Sequence, residues 1–121
     1  MARIEEFKRE GKSFVYIDFS GLKTNEEISG LIGQVKPVIS KYPPKSVYTI
    51  TNFDSLHFDR DSKNLIVPYT EANAPYVIAG AITGIDGLKQ VMANAIFSVS
   101  GRKNLSIVSS KEEAIQVLLS K

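Results

Sequence analysis

The chain has 121 residues with 15 basic and 13 acidic side chains, a formal net charge of +2, 43% hydrophobic residues and no cysteine. That is chain enough for one domain with its own core, and the composition excludes a disordered chain, a disulfide scaffold and thiolate chemistry. Beyond Lys8, Arg9 and Lys12 the basic residues are scattered among acids, so the positive stripe that a nucleic-acid partner needs is missing.

Residues 1–8 alternate charge and apolar side chains without the apolar h-region of a secretory signal, and no stretch nears the roughly 18 apolar residues of a membrane span. A soluble, cytoplasmic chain with no membrane partner is expected. Residues 1–12 read either as a short antiparallel edge strand or as a mobile arm.

Phe14-Val15-Tyr16-Ile17-Asp18-Phe19, closed by Ser20-Gly21, reads as a buried strand. Thr24-Asn25-Glu26-Glu27 has the spacing of a capping box, and Ile28, Leu31, Ile32, Val35, Ile39 and Tyr42 continue it as a helix. Pro37 predicts a kink or break there, and Tyr42-Pro43-Pro44 a stop. Ser46-Val47-Tyr48-Thr49-Ile50-Thr51 is the second strand. A polar loop runs through Asp61, with Asp59 or Asp61 as N-cap of a second helix that carries Leu65, Ile66, Tyr69 and Ala72 and is strained by Pro68. The third strand, Tyr76-Val77-Ile78-Ala79-Gly80-Ala81-Ile82-Thr83, is apolar enough to lie centrally in a sheet covered on both faces. Ile85, Leu88, Val91, Met92, Ala95, Ile96 and Val99 set out a third helix closed by Gly101. Asn104-Leu105-Ser106-Ile107-Val108 is the fourth strand. Ser109-Ser110-Lys111-Glu112-Glu113 then offers overlapping capping boxes to a last helix bearing Ala114, Ile115, Val117, Leu118 and Leu119.

Strands alternating with helices predict a single α/β domain over residues 1–121. Its four consecutive β-α units make an open, mostly parallel four-stranded sheet in two to three layers, to which an N-terminal edge strand can be added. Ligands of such sheets collect beyond the carboxyl ends of the strands. Here those ends carry Asp18, Ser20 and Gly21, the loop 51–61, Thr83 to Asp86, and Ser109 to Lys111.

Ser20-Gly21-Leu22 and Thr83-Gly84-Ile85-Asp86-Gly87-Leu88 are glycine turns entering helices, where free amides can cradle phosphate. Neither fits a P-loop or dinucleotide fingerprint, and Asp86 adds charge that repels an anion, so turn and cap duty is the better reading. Asp18, Ser20, Gly21, Thr83 and Gly84 thus mark an alternative site, that of a small-ligand or nucleotide sensor. The loop 52–61 holds the only histidine, His57, among Asp54, Asp59 and Asp61. Its spacing matches no metal-ligand pattern, so neither a metal nor another cofactor is expected. With no nucleophile elbow and no pair of titrating groups named by the sequence, an enzyme is not expected. Asp18, Thr83 and Lys111 fall where a phosphorelay receiver keeps its acid, hydroxyl and lysine, but Phe19 stands where that site needs a second carboxylate.

Tyr16-Ile17-Asp18-Phe19-Ser20-Gly21-Leu22, Ala74-Pro75-Tyr76-Val77, Ala81-Ile82-Thr83-Gly84-Ile85-Asp86-Gly87-Leu88 and Glu112-Glu113-Ala114 with Leu118 resemble, in order and spacing, STAS-like domains of the SpoIIAA type. The likeness spans about residues 14–120. It implies a non-catalytic regulatory module that docks another protein, an anti-sigma factor or a similar regulator. It also implies a switch: phosphorylation of a serine in an Asp-Ser-Ser-Gly turn ahead of the second helix. The corresponding turn is Asp59-Arg60-Asp61-Ser62, where Arg60 and Asp61 replace the expected early hydroxyl and only Ser62 remains. A partner is therefore expected at Phe53, Asp54, His57, Phe58, Asp59, Arg60, Asp61 and Ser62, with standing negative charge in place of a toggled phosphate. Surplus apolar surface on the third strand and helix also suggests a homodimer.

Overall fold

The computed structural model describes residues 3–57, 59–85 and 105–120. β1 (Ile4–Arg9) and β2 (Lys12–Asp18) form an antiparallel hairpin. Its two turn residues, Glu10 and Gly11, hold φ of 53° and 78°, the positive values that let a two-residue turn follow the strand twist. Ile4–Arg9 are thus an edge strand of the described sheet.

β3 (Val47–Asn52), β4 (Val77–Thr83) and β5 (Leu105–Ile107) complete a five-stranded sheet in the order β1-β2-β3-β4-β5. Every pairing after the hairpin is parallel. The four predicted strands are all present, and the third of them, β4, has neighbours on both sides. It starts one residue later than the apolar run, because Ala74–Tyr76 closes as a 3-10 turn. Between the pairs Val47–Val77 and Tyr48–Ala79 the register shifts, so β4 carries one extra residue, Ile78, as a bulge.

α1 (Asn25–Ser40) starts at the predicted capping box: Thr24 Oγ1 accepts the Glu27 amide at 3.1 Å, and Glu27 Oε1 accepts the Thr24 amide at 3.2 Å. Pro37 does not break it. The carbonyl that loses its donor belongs to Gly33, on the exposed side of the helix, where water can replace the missing bond. α2 (Arg60–Asn73) likewise runs through Pro68. It begins five residues before Leu65, the first apolar marker of the sequence pattern, because a polar cap and not hydrophobic periodicity starts it.

Ile28, Leu31, Val35 and Ile39 of α1 and Ile66, Val67 and Tyr69 of α2 pack with Val15, Ile17, Phe19 and Phe53 on one face of the sheet. The other face takes α3 (Lys111–Leu119), whose Ala114, Ile115 and Leu118 meet Phe14, Tyr48, Ile50, Ala79 and Ala81. Alternation along β2 feeds both layers: Phe14 points to one and Val15 to the other. Ser110 is the N-cap of α3 and accepts the Glu113 amide at 3.1 Å. The helix predicted over 85–99 lies, apart from Ile85, outside the described residues.

Candidate functional site

β2, β3 and β4 end side by side, with Asp18, Asn52 and Thr83 in register. Beyond that line the backbone stitches itself together. The amides of Phe19, Phe53 and Gly21 donate to Asn52, Thr83 and Asp54 carbonyls at 2.9, 2.9 and 3.0 Å, and that of His57 to Leu22 at 2.9 Å. Asp18 Oδ1 accepts the Ser20 amide at 2.9 Å; Asn52 Oδ1 accepts the Asp54 amide at 2.9 Å and the Thr83 hydroxyl at 3.2 Å. Both are Asx turns, the local bond that short polar side chains form with the backbone two residues on. Arg3 closes the rim from the hairpin, donating from Nη1 to the carbonyls of Asp18 at 3.0 Å and Ser20 at 2.8 Å.

Gly84 lies against this weave at φ +78°; a Cβ there would stand 2.7 Å from Asp54 Cα and 2.9 Å from Phe53 C. The amides of Ser20, Gly21, Phe53 and Asp54, which a phosphate would need, therefore already have acceptors. Lys111 does not join Asp18 and Thr83 on the rim. It pairs with Glu5 at 2.8 Å and lies 4.5 Å from the Tyr16 ring centroid.

The second constellation is the entrance to α2. Phe53 and Leu56 anchor the preceding loop in the core, Phe53 against Phe19 at 5.6 Å between centroids. Phe53 was expected at a partner surface; it has no exposed surface, because it continues the inward alternation of β3 beneath α2. Asp59, of the two predicted caps, takes the N-cap position with extended backbone (φ −150°). Its Oδ1 accepts the Ser62 amide at 2.8 Å, while Ser62 Oγ accepts the Asp59 amide at 2.8 Å and donates to the Asp59 carbonyl at 2.9 Å. Ser62 is fully buried. Asp59 Oδ2 lies 2.8 Å from His57 Nε2. The Ser62 amide, and after it His57, hold the Asp59 carboxyl below the usual carboxylate range.

Asp54, Arg60 and Asp61 are exposed, and His57 and Asp59 partly so. His57, Asp59, Arg60, Asp61 and Ser62 thus meet at the first turn of α2, whereas Asp54 sits on the rim beside Gly84. Phe58 lies outside the described residues. Among the described residues no group of three or more His, Asp or Glu side chains is placed to hold a metal, and no helix is long and apolar enough to cross a membrane.

Sequence reasoning gave no role to Asn52 or Arg3. The first could have been found as an Asn at a strand end two residues before an unpaired amide. The second leaves no local signal, because its acceptors are the backbone carbonyls of Asp18 and Ser20, across the hairpin and far along the chain.

No protein-family model matches the sequence, and no curated protein matches it. Among solved structures the chain is similar to the anti-sigma factor antagonist SpoIIAA in its unphosphorylated form, with a TM-score of 0.63 at 15% identity. The match covers 98% of this chain and 97% of that one. At such identity the likeness is one of fold: a STAS-like, mostly parallel sheet with an added antiparallel N-terminal strand.

Proposed function

From that fold we propose that the chain is a non-catalytic regulatory module that binds another protein through the entrance to α2. His57, Asp59, Arg60 and Asp61 are the contact side chains, with Asp54 on the neighbouring rim; Phe58, between His57 and Asp59 in sequence, is included as a contact on the sequence pattern alone. The similarity to an anti-sigma factor antagonist supports an anti-sigma-factor-like or other regulatory protein as the partner. One observation carries the finer reading. The turn's remaining hydroxyl, Ser62, is buried and bonded in both directions to the Asp59 backbone, while Asp61 is exposed in the first turn. A carboxylate at that place stands against the positive end of the helix dipole permanently, as a phosphate would only on modification. The module binds in one state and does not toggle.

Co-purification from the native host tests the surface. Phe58→Ala, His57→Ala and Arg60→Ala are each expected to weaken the capture of one recurrent partner, and unchanged capture by all three would remove this reading. Intact-mass measurement of protein isolated from the same cells tests the fixed state, since a stoichiometric phosphate on Ser62 is incompatible with it. The occupied amides of Ser20, Gly21 and Asp54 speak against the sensor alternative. A thermal-shift response to nucleotides or acyl compounds, lost in Thr83→Val, would restore it.

A further inference from the structure

Among the described residues β1 has a neighbour on one side only. In an antiparallel pair alternate residues exchange both backbone bonds and those between face away. The Asp18 amide donates to Arg3 at 2.7 Å, in step with the register that pairs Glu5 with Tyr16, Phe7 with Phe14 and Arg9 with Lys12. Residues 3, 5, 7 and 9 therefore serve β2, and the amides and carbonyls of Ile4, Glu6 and Lys8 point outward from the sheet.

The free edge reads Glu5-Glu6-Phe7-Lys8-Arg9, two acids, an apolar centre and two bases. Charges on an edge strand ordinarily keep other strands away, and a single sign would do so against a second copy of the same chain. This order does the reverse. Turned end for end about Phe7, the strand sets Glu6 opposite Lys8 and Glu5 opposite Arg9, twice over, with Phe7 opposite itself. We propose that this edge is a self-association surface, on which two copies join antiparallel about a twofold axis at Phe7 and two five-stranded sheets become one of ten strands.

Two details of the edge agree with that register. Glu6 and Lys8 would form the hydrogen-bonded pairs, and theirs are the outward-facing backbone groups. Phe7 would form the non-bonded pair, in which side chains approach most closely, and Phe7 is only partly buried in the single chain.

The flanking ion pairs extend the same order. On the face of α3, Lys111 holds Glu5 at 2.8 Å and Glu112 holds Arg9 at 3.4 Å. Joining Glu5 to Arg9 of the second copy gives rows in which charges alternate without two of a kind adjacent. On the opposite face Glu6 is held by Lys41 at 2.8 Å and by the Tyr42 hydroxyl at 2.6 Å. Lys8 has no ion pair among the described residues and supplies the incoming cation.

Sedimentation velocity of the full chain over a range of concentration, at low and high salt, tests the interface. A monomer–dimer equilibrium weakened by salt is expected. Lys8→Glu sets like charges opposite Glu6 twice and is expected to raise the dissociation constant by about a hundredfold; Glu6→Lys does the same with two lysines. An equimolar mixture of these two variants is expected to dimerise again, because each strand now meets its opposite. Lys8→Pro removes an outward amide that β2 does not use and is expected to leave a folded monomer by circular dichroism. A wild-type chain monomeric at every concentration, a dimer untouched by Lys8→Glu and Lys8→Pro, or a mixture that stays monomeric would each overturn the proposal. The α2 entrance belongs to the β3–β4 connection, away from this edge, so its variants leave the measurement unchanged.

Discussion

Gly84 and Gly21 both hold positive φ, +78° and +70°, yet only Gly84 is crowded: backbone of Asp54 and Phe53 stands where its Cβ would go, whereas nothing lies within 4 Å at Gly21. Gly21→Ala therefore meets only the left-handed backbone cost of roughly 1–2 kcal/mol. Gly84→Ala adds a clash with atoms that cannot rotate away and is expected to cost at least about 3 kcal/mol. Urea denaturation of the two variants checks the order. Asp59 has a folded pKa below its unfolded value. Its stabilisation is thus fully present above the unfolded pKa, near 4, and is lost as pH falls through the lower folded value. Asp59→Asn keeps a good N-cap but no longer titrates. The gap between the denaturation midpoints of wild type and variant is expected to narrow below about pH 4, and parallel curves down to acid would refute this assignment.

At the scale of elements, what the sequence announces and what it hides divide by mechanism. Runs such as Tyr48-Thr49-Ile50 and the stripe Ile28-Leu31-Val35-Ile39 show their structure because burial dictates their period. The start of α1 shows because Thr24 and Glu27 form a local, reciprocal bond. β1 is less legible: Glu5, Glu6, Lys8 and Arg9 are exposed on both of its faces, so no apolar alternation marks it, and only the Glu10-Gly11 turn fixes it as a strand. Nor does apolar patterning show that Phe53 is core or that Ser62 is buried, since both depend on how α2 seats over β3. Pro37 and Pro68 mislead in the other direction, as their unbonded carbonyls face solvent. Pro68 still lacks one helix bond near the middle of α2. Pro68→Ala restores that donor at an exposed site and loses the stiffness of proline in the unfolded chain. A net gain of roughly 1–2 kcal/mol is expected in urea denaturation.

At the scale of the whole molecule, the described helices divide between the two faces of the sheet. α1 and α2 share one, while Phe14, Tyr48 and Ile50 on the other meet α3. Lys111 at the start of that helix lies over Phe7 and Tyr16, and Lys12 reaches the Leu119 carbonyl at its end at 3.3 Å. These partly exposed ties add little compared with burial; among the described residues of α3 the layer is held by Ala114, Ile115 and Leu118. Leu118→Ala is therefore expected to cost about 3 kcal/mol, read as a lowered urea midpoint, whereas Lys12→Ala is expected to cost well under about 1 kcal/mol. The sheet has one further property. Its strands stand in space in the order in which they occur along the chain. Each new strand needs only its predecessor as a template, and the first pairing is a hairpin closed by two residues. During synthesis the sheet can therefore grow from the amino terminus, never holding a place open for a strand still to be made.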